Sequence, residues 1–201
     1  MQCQEALENG RALRTLGLSG DDLKRLRGFQ FLSAKPMLLV LNVDEADIGS
    51  LDGAIGAAGL DRFLEGPATR GVALCAKIEL EIAELEPADA AAFLADLGLA
   101  ESGLGRVIRA SYDLLGYMSF FTVGEDECRA WSIPVGTGAQ LAAGEIHSDI
   151  QRGFIRAEVV PYDTLMARGS MAACKEHGEF RLEGKEYVVR DGDIINFRHA
   201  T

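Results

Sequence analysis

Two short apolar runs, each stopping at polar residues, constrain this chain most. The first, Met37-Leu38-Leu39-Val40-Leu41, follows Pro36 and ends at Asn42-Val43-Asp44-Glu45. It does not alternate, which is the pattern of a strand covered on both faces of a parallel sheet. The second, "GVALCAK" at 71–77, ends at Cys75-Ala76-Lys77 and opens the helical pattern "IELEIAEL". Two strand-to-helix units in series predict parallel α/β architecture.

The flanking segments fill in around these runs. In "DDLKRLRGFQFL", Leu23, Leu26 and Phe29 fall at helical spacing, with Ser19 as cap and Asp21 and Asp22 in the first turn. "GLDRFLEG" reads as a short helix, and "EPADAAAFLADLG" as another with Pro87 in its first turn and Gly98 beyond its last. "SGLGRVIRASYDLLG" is a third, with Ser102 as cap and Gly116 as stop. From Phe120 onward the texture is β: "SFFTV", "CRAWSI", "FIRAEVV", "EYVV" and "DIINF", with "AAGEIHSDIQRG" as a helix among them. Asp191-Gly192 within "RDGD" signals a hairpin between the last two. The expected organisation is a helical piece over 1–33, an α/β part over 34–116 and a small α+β domain over 117–201.

Charge and cysteines exclude several classes. The chain carries 20 Lys and Arg against 31 Asp and Glu, net −11. The first 114 residues net −7 and the remainder −4, so neither half is a basic nucleic-acid footprint, and no DNA partner is expected. RNA contact would require a local cluster of arginines. Cys3, Cys75, Cys128 and Cys174 are far apart, without Cys-x-x-Cys or Cys/His ligand spacing, so no metal site is expected. No window has the roughly 18 apolar residues of a membrane span. The amino terminus lacks a secretion pattern, so a cytoplasmic protein with no membrane partner is expected.

The chemistry concentrates at the two strand ends. In open parallel sheets, ligands bind beyond the carboxyl ends of the strands. The Asn42 amide offers a donor and an acceptor side by side, matching adenine N6 and N7. Glu45 adds an acceptor, and the Val43 backbone can meet an exocyclic amine. The backbone of Cys75 and Ala76 can meet another base edge, and the Lys77 stem can pack over a base plane. On spacing alone, an ordinary polar loop and a solvated helix start account for the same residues.

Taken together, "KPMLLVLNVDE" and "CAKIELEIAEL" resemble the fourth and fifth nucleotide motifs of the YchF/Obg-like ATPases, P-loop proteins of the translation-factor class. Most of that class carry Asn-Lys-x-Asp, which reads guanine. The YchF group has Asn-x-x-Glu, as Asn42-Val43-Asp44-Glu45 does here. The usual Ser-Ala-Lys is Cys75-Ala76-Lys77 in this chain. The stretches "FFTVGEDECRAWSIPVGTGAQLAAGEIHSDIQRGFIRAEVVPYD" and "GKEYVVRDGDIINFR" resemble the family's TGS domain, a small β-grasp module. Residues 1–33 resemble the end of its helical insertion.

The resemblance implies part of a P-loop sheet followed by a β-grasp domain. It also implies a nucleotide, ATP or GTP, with Mg2+ in the intact protein, and a ribosome or structured-RNA partner. Base contacts carry over to Asn42, Val43, Glu45, Cys75, Ala76 and Lys77. Arg152, Arg156 and Arg198 are the candidates for RNA contact, although each can instead pair with Glu158 or another acid. His147 suits a helix start or a core better than catalysis, and Trp131, Phe120 and Phe121 suit a core. The chain contains no G-x-x-x-x-G-K-[S/T]; its one Gly-Lys pair, Gly184-Lys185, precedes Glu186. The phosphate cradle, its lysine and the Mg2+ ligand are therefore missing, and the sheet is expected to have uncovered edges and faces. The chain is read as the carboxy-terminal portion of a YchF-type enzyme that hydrolyses nothing alone. The alternative is a stand-alone TGS module that binds ribosome or RNA.

Overall fold

A computed structural model describes residues 2–64, 66, 68–124 and 126–200. The chain divides into two compact units, Met1–Leu115 and Gly116–Thr201.

In the first unit, helix α1 (Gln2–Glu8) and helix α2 (Gly20–Leu26) precede strand β1 (Met37–Asn42). Ser19 caps α2 as expected and forms a reciprocal capping box with Asp22. Helix α3 (Leu51–Ala57) follows, then strand β2 (Thr69–Leu74), helix α4 (Ala76–Ala83), helix α5 (Pro87–Asp96) and helix α6 (Gly103–Leu115). β1 and β2 run parallel in register from Met37↔Thr69 to Asn42↔Leu74, a two-stranded sheet. Parallel pairing was the expectation, but cover on both faces was not met. β1 is only half-buried, and Val40 is 46% exposed, because among the described residues a single neighbouring strand pairs with it. The helix expected in "GLDRFLEG" is one 3-10 turn, Asp61–Phe63.

The second unit is a mixed five-stranded sheet with strands β3 (Tyr117–Val123), β4 (Cys128–Pro134), β5 (Phe154–Pro161), β6 (Arg181–Glu183) and β7 (Asp193–His199). Their order is β4-β3-β7-β5-β6; β3 and β7 pair in parallel and the others antiparallel. Helices α7 (Ala139–Ile146), α8 (Ser148–Arg152), α9 (Tyr162–Arg168) and α10 (Met171–Glu176) complete it.

Successive side chains of a strand point to opposite faces, and here they feed two cores. Phe120, Val159 and Ile195 join Ala139, Ala142 and Ala143 of α7 in one cluster. Val160 and Ile194, adjacent in sequence to Val159 and Ile195, join Leu165 and Cys174 of α9 and α10 in the other, against which Phe121 packs. The expected hairpin at Asp191-Gly192 is only partly present. The turn forms, with Gly192 at φ +78°, but "EYVV" supplies a single bridge, Val188 to Gly138. β7 pairs instead with β5 and β3, and the loop before it is held by the buried Asp193 carboxylate, which accepts the Tyr187 hydroxyl at 2.7 Å and the Arg190 amide at 2.9 Å.

Candidate functional site at the strand ends

β1 and β2 end side by side, so the polar residues after each run meet. The Asn42 Oδ1 accepts the Ala76 amide at 2.9 Å, across 34 residues of sequence. The Val43 amide donates to the Leu74 carbonyl at 2.9 Å, extending the ladder one step beyond the strands. Asp44 turns the chain by accepting the Glu45 amide at 2.7 Å. That turn carries Glu45 to Lys77, with which it forms an ion pair. Hydrogen bonding to Glu45 raises the Lys77 ammonium above its ordinary pKa, and the Glu45 charge adds to this. Together Asn42, Val43, Asp44, Glu45, Cys75 and Lys77 line an open depression of about 300 Å³.

This geometry refines the chemistry read from the sequence. Oδ1 of Asn42 already accepts the Ala76 amide, which uses one of its two lone pairs, while the Nδ2 amide keeps two N–H donors. The Val43 amide and the Ala76 amide are likewise engaged. The Cys75 side chain is buried, 4% exposed, at the residue that caps α4, and its carbonyl accepts the Glu79 amide at 3.0 Å. Glu79 itself holds the site from behind. Its two oxygens accept the Gly103 and Leu104 amides at 2.7 and 2.9 Å, placing a carboxylate on the amino end of α6. A side chain at Gly103 would meet Leu74 Cβ at 2.7 Å, so this approach requires glycine. Asp44 and Glu79 were not singled out from sequence; Glu79 is one of several acids in "IELEIAELE".

Two of the three candidate arginines of the second unit are cross-strand partners. Arg156 and Arg198 face each other across β5 and β7. Arg198 is ion-paired to Glu158, whose other oxygen accepts from Asn196 at 2.7 Å. Arg152 ends α8 and is paired with Asp149. His147 is the cap of α8, its Nδ1 accepting the Asp149 amide at 3.2 Å, the helix-start role expected of it. Among the described residues no cluster of three or more His, Cys, Asp or Glu is arranged to hold a metal, and no helix is long and apolar enough to cross a membrane.

The first unit is an α/β sheet with a polar site at its strand ends, and the second a mixed sheet with helices on both faces. Comparison with known proteins defines the pair further. Residues 117–200 match the family profile YchF-GTPase_C, described as a protein of unknown function (DUF933). The chain is 46% identical over 195 residues to the "Ribosome-binding ATPase YchF" of Bacillus subtilis (strain 168), covering 97% of this chain and 53% of that protein. It is 42% identical over 199 residues to the protein of the same name in Escherichia coli O157:H7, covering 98% and 53%. Among solved structures, the Schizosaccharomyces pombe YchF GTPase superposes with a TM-score of 0.78 at 26% identity, covering 98% of this chain and 52% of that one. The chain belongs to the YchF family, and it spans about half the length of the curated relatives it matches.

Proposed function

We propose that the strand-end depression takes the purine of a nucleotide, ATP or GTP. In this reading the first unit contributes part of a P-loop-type sheet. The second, a TGS-type β-grasp domain, contacts the ribosome in the cytoplasm. The carrying observation is the Asn42–Ala76 hydrogen bond, which ties the two strand ends together and uses Oδ1 rather than Nδ2 of the exposed Asn42. An Nδ2 N–H donor suits purine N7, an acceptor common to adenine and guanine. Discrimination between the two then falls to Glu45 and the Val43 carbonyl. Binding requires Glu45 to share its carboxylate between Lys77 and the base, while the Lys77 stem covers the ring. Nothing at this site is placed to attack a phosphate. Phosphate and Mg2+ handling would come from a G-x-x-x-x-G-K-[S/T] loop, which this sequence does not contain.

The test is titration of fluorescent ATP and GTP analogues into an intact family protein that carries such a loop, with and without the change matching Asn42→Ala. The loss of one hydrogen bond should weaken binding roughly three- to tenfold. Unchanged affinity for both nucleotides would remove Asn42 from the site.

A second reading, an independent ribosome- or RNA-binding module, is favoured by the two complete cores of the second unit. It requires the chain to co-sediment with ribosomes without nucleotide, most strongly at low salt.

A further inference from the structure

This acidic chain contains one basic stretch. Residues 11–35 hold six Lys and Arg against two Asp, a net of +4; the rest holds 14 Lys and Arg against 29 Asp and Glu, a net of −15. Both acids in the stretch are already engaged. Asp21 pairs with Lys24 at 3.3 Å, and Asp22 closes the capping box with Ser19. Arg14 is directed inward, donating to the Ser33 and Lys35 carbonyls at 3.2 Å each. Arg11, Arg25, Arg27 and Lys35 are exposed and, among the described residues, have no acidic partner within ion-pair distance.

Apolar surface of a definite shape adjoins these cations. The Phe29 ring lies flat on Phe31, centroids 5.3 Å apart and 7° between planes, while Phe29 remains 68% exposed. Phe31 also lines a cavity of about 430 Å³ with Leu13, Leu23 and Leu26, where the exposed Arg27 and Lys35 stand beside the apolar wall. One exposed aromatic ring stacked on a half-buried second, in a stretch with unpaired guanidinium and ammonium groups, matches an unstacked base with its phosphates. A double helix hides its base faces and cannot use such a ledge. An acidic peptide would meet the charges but has no plane to stack.

We propose that residues 11–35 form a contact surface for single-stranded RNA, with Arg25, Arg27 and Lys35 on phosphates and the Phe29–Phe31 pair stacking an unpaired base. This rests on the reading that the protein works at the ribosome, and it locates an RNA surface apart from Arg152, Arg156 and Arg198.

The test uses the full chain and a fluorescein-labelled single-stranded RNA of about 15 nucleotides, read by anisotropy across a salt series. Arg25→Glu/Arg27→Glu, at two exposed positions, should weaken binding about tenfold or more and flatten the salt dependence. Phe29→Ala should cost about fivefold or more, and a duplex of equal length should bind distinctly more weakly. Arg156→Glu/Arg198→Glu should change affinity less than about twofold. The proposal is overturned by absence of binding at low salt, by an unaffected Arg25/Arg27 variant with unchanged circular dichroism, by equal affinity for duplex, or by full competition from an Asp-rich peptide. Ribosome co-sedimentation separates the two readings. Sedimentation untouched by Arg25→Glu/Arg27→Glu keeps the ribosome reading and ends this one. RNA binding through Arg25 and Arg27 without sedimentation does the reverse.

Discussion

The two units fold by different means. The second places sixteen buried apolar residues into two clusters, one on each face of its sheet, and includes fully enclosed groups such as Phe120, Ile133 and Val159. The first is longer yet, among the described residues, buries only seven: Ala6, Leu13, Leu51, Val72, Ala73, Cys75 and Ile78. Its order depends on directed polar ties, namely Asn42 to Ala76, Glu79 to the start of α6, and Arg14 to the Ser33 and Lys35 carbonyls. A directed tie holds a geometry but contributes about 1 kcal/mol net, whereas each large enclosed side chain contributes several. Thus the unit proposed to take the nucleotide base is positioned by directed ties, while the unit proposed to contact the ribosome is packed.

The comparison breaks most clearly if enclosed and half-open apolar residues prove equivalent. Phe120 is fully buried, 6.5 Å from the Trp131 ring and edge-on to Phe197 at 5.9 Å. Phe120→Ala should destabilise the second unit by about 3–5 kcal/mol. Val40→Ala, on the half-exposed β1, should cost about 1 kcal/mol or less. Trp131 is the chain's one tryptophan and lies in the second unit, so its fluorescence during denaturant unfolding reads Phe120→Ala, while far-UV circular dichroism, which reports both units, reads Val40→Ala. Equal costs for the two substitutions would mean the first unit is better cored than its burial indicates.

A smaller effect is expected at Asn42. Asn42→Ala removes the acceptor for the Ala76 amide and should cost the first unit about 1 kcal/mol. Far-UV circular dichroism reports both units, so its early phase should shift while the Trp131 transition stays in place. If both signals shift together, the units unfold as one and the contrast drawn between them is wrong.

What the sequence made legible follows the same division. Local rules worked where one residue decides: Ser19 caps α2, Ser102 accepts the Gly105 amide at 3.1 Å, and Gly116 sits at φ +68° after α6. The parallel pairing of β1 and β2 was readable from two apolar runs with helices after them. Of the six residues expected to share a site, Asn42, Val43, Glu45, Cys75 and Lys77 line one depression, and Ala76 does not line it but donates its amide to Asn42. Which atoms remain available there was not readable, because the bond that commits Asn42 Oδ1 joins residues 34 apart. Helix α3 went unnoticed because Gly53 and Gly56 depress its propensity; it forms with Leu51 buried and Ile55 packed toward Gly71 of β2. "EYVV" has strand composition, but the Tyr187–Asp193 bond overrides it, and no local pattern encodes that partner.

The smallest expected effect concerns a surface tie of the packed unit. Arg168, at the end of α9, grips Glu179 with two hydrogen bonds of 2.9 and 2.7 Å. That hydrogen bonding holds the Glu179 carboxyl below the ordinary glutamate pKa, with the Arg168 charge adding to it. A depressed folded-state value gives stability that is complete above the unfolded pKa of about 4.3 and disappears as pH falls through the lower folded value. Denaturant midpoints of the parent chain and Glu179→Gln should therefore differ slightly at neutral pH and converge in acid. High salt should also narrow the gap, since both groups are partly exposed. A gap that persists in acid would show that the shape of the contact, rather than its charge, secures the segment after α10. A neutral-pH cost rivalling that of Phe120→Ala would mean that directed ties matter as much in the packed unit as in the open one.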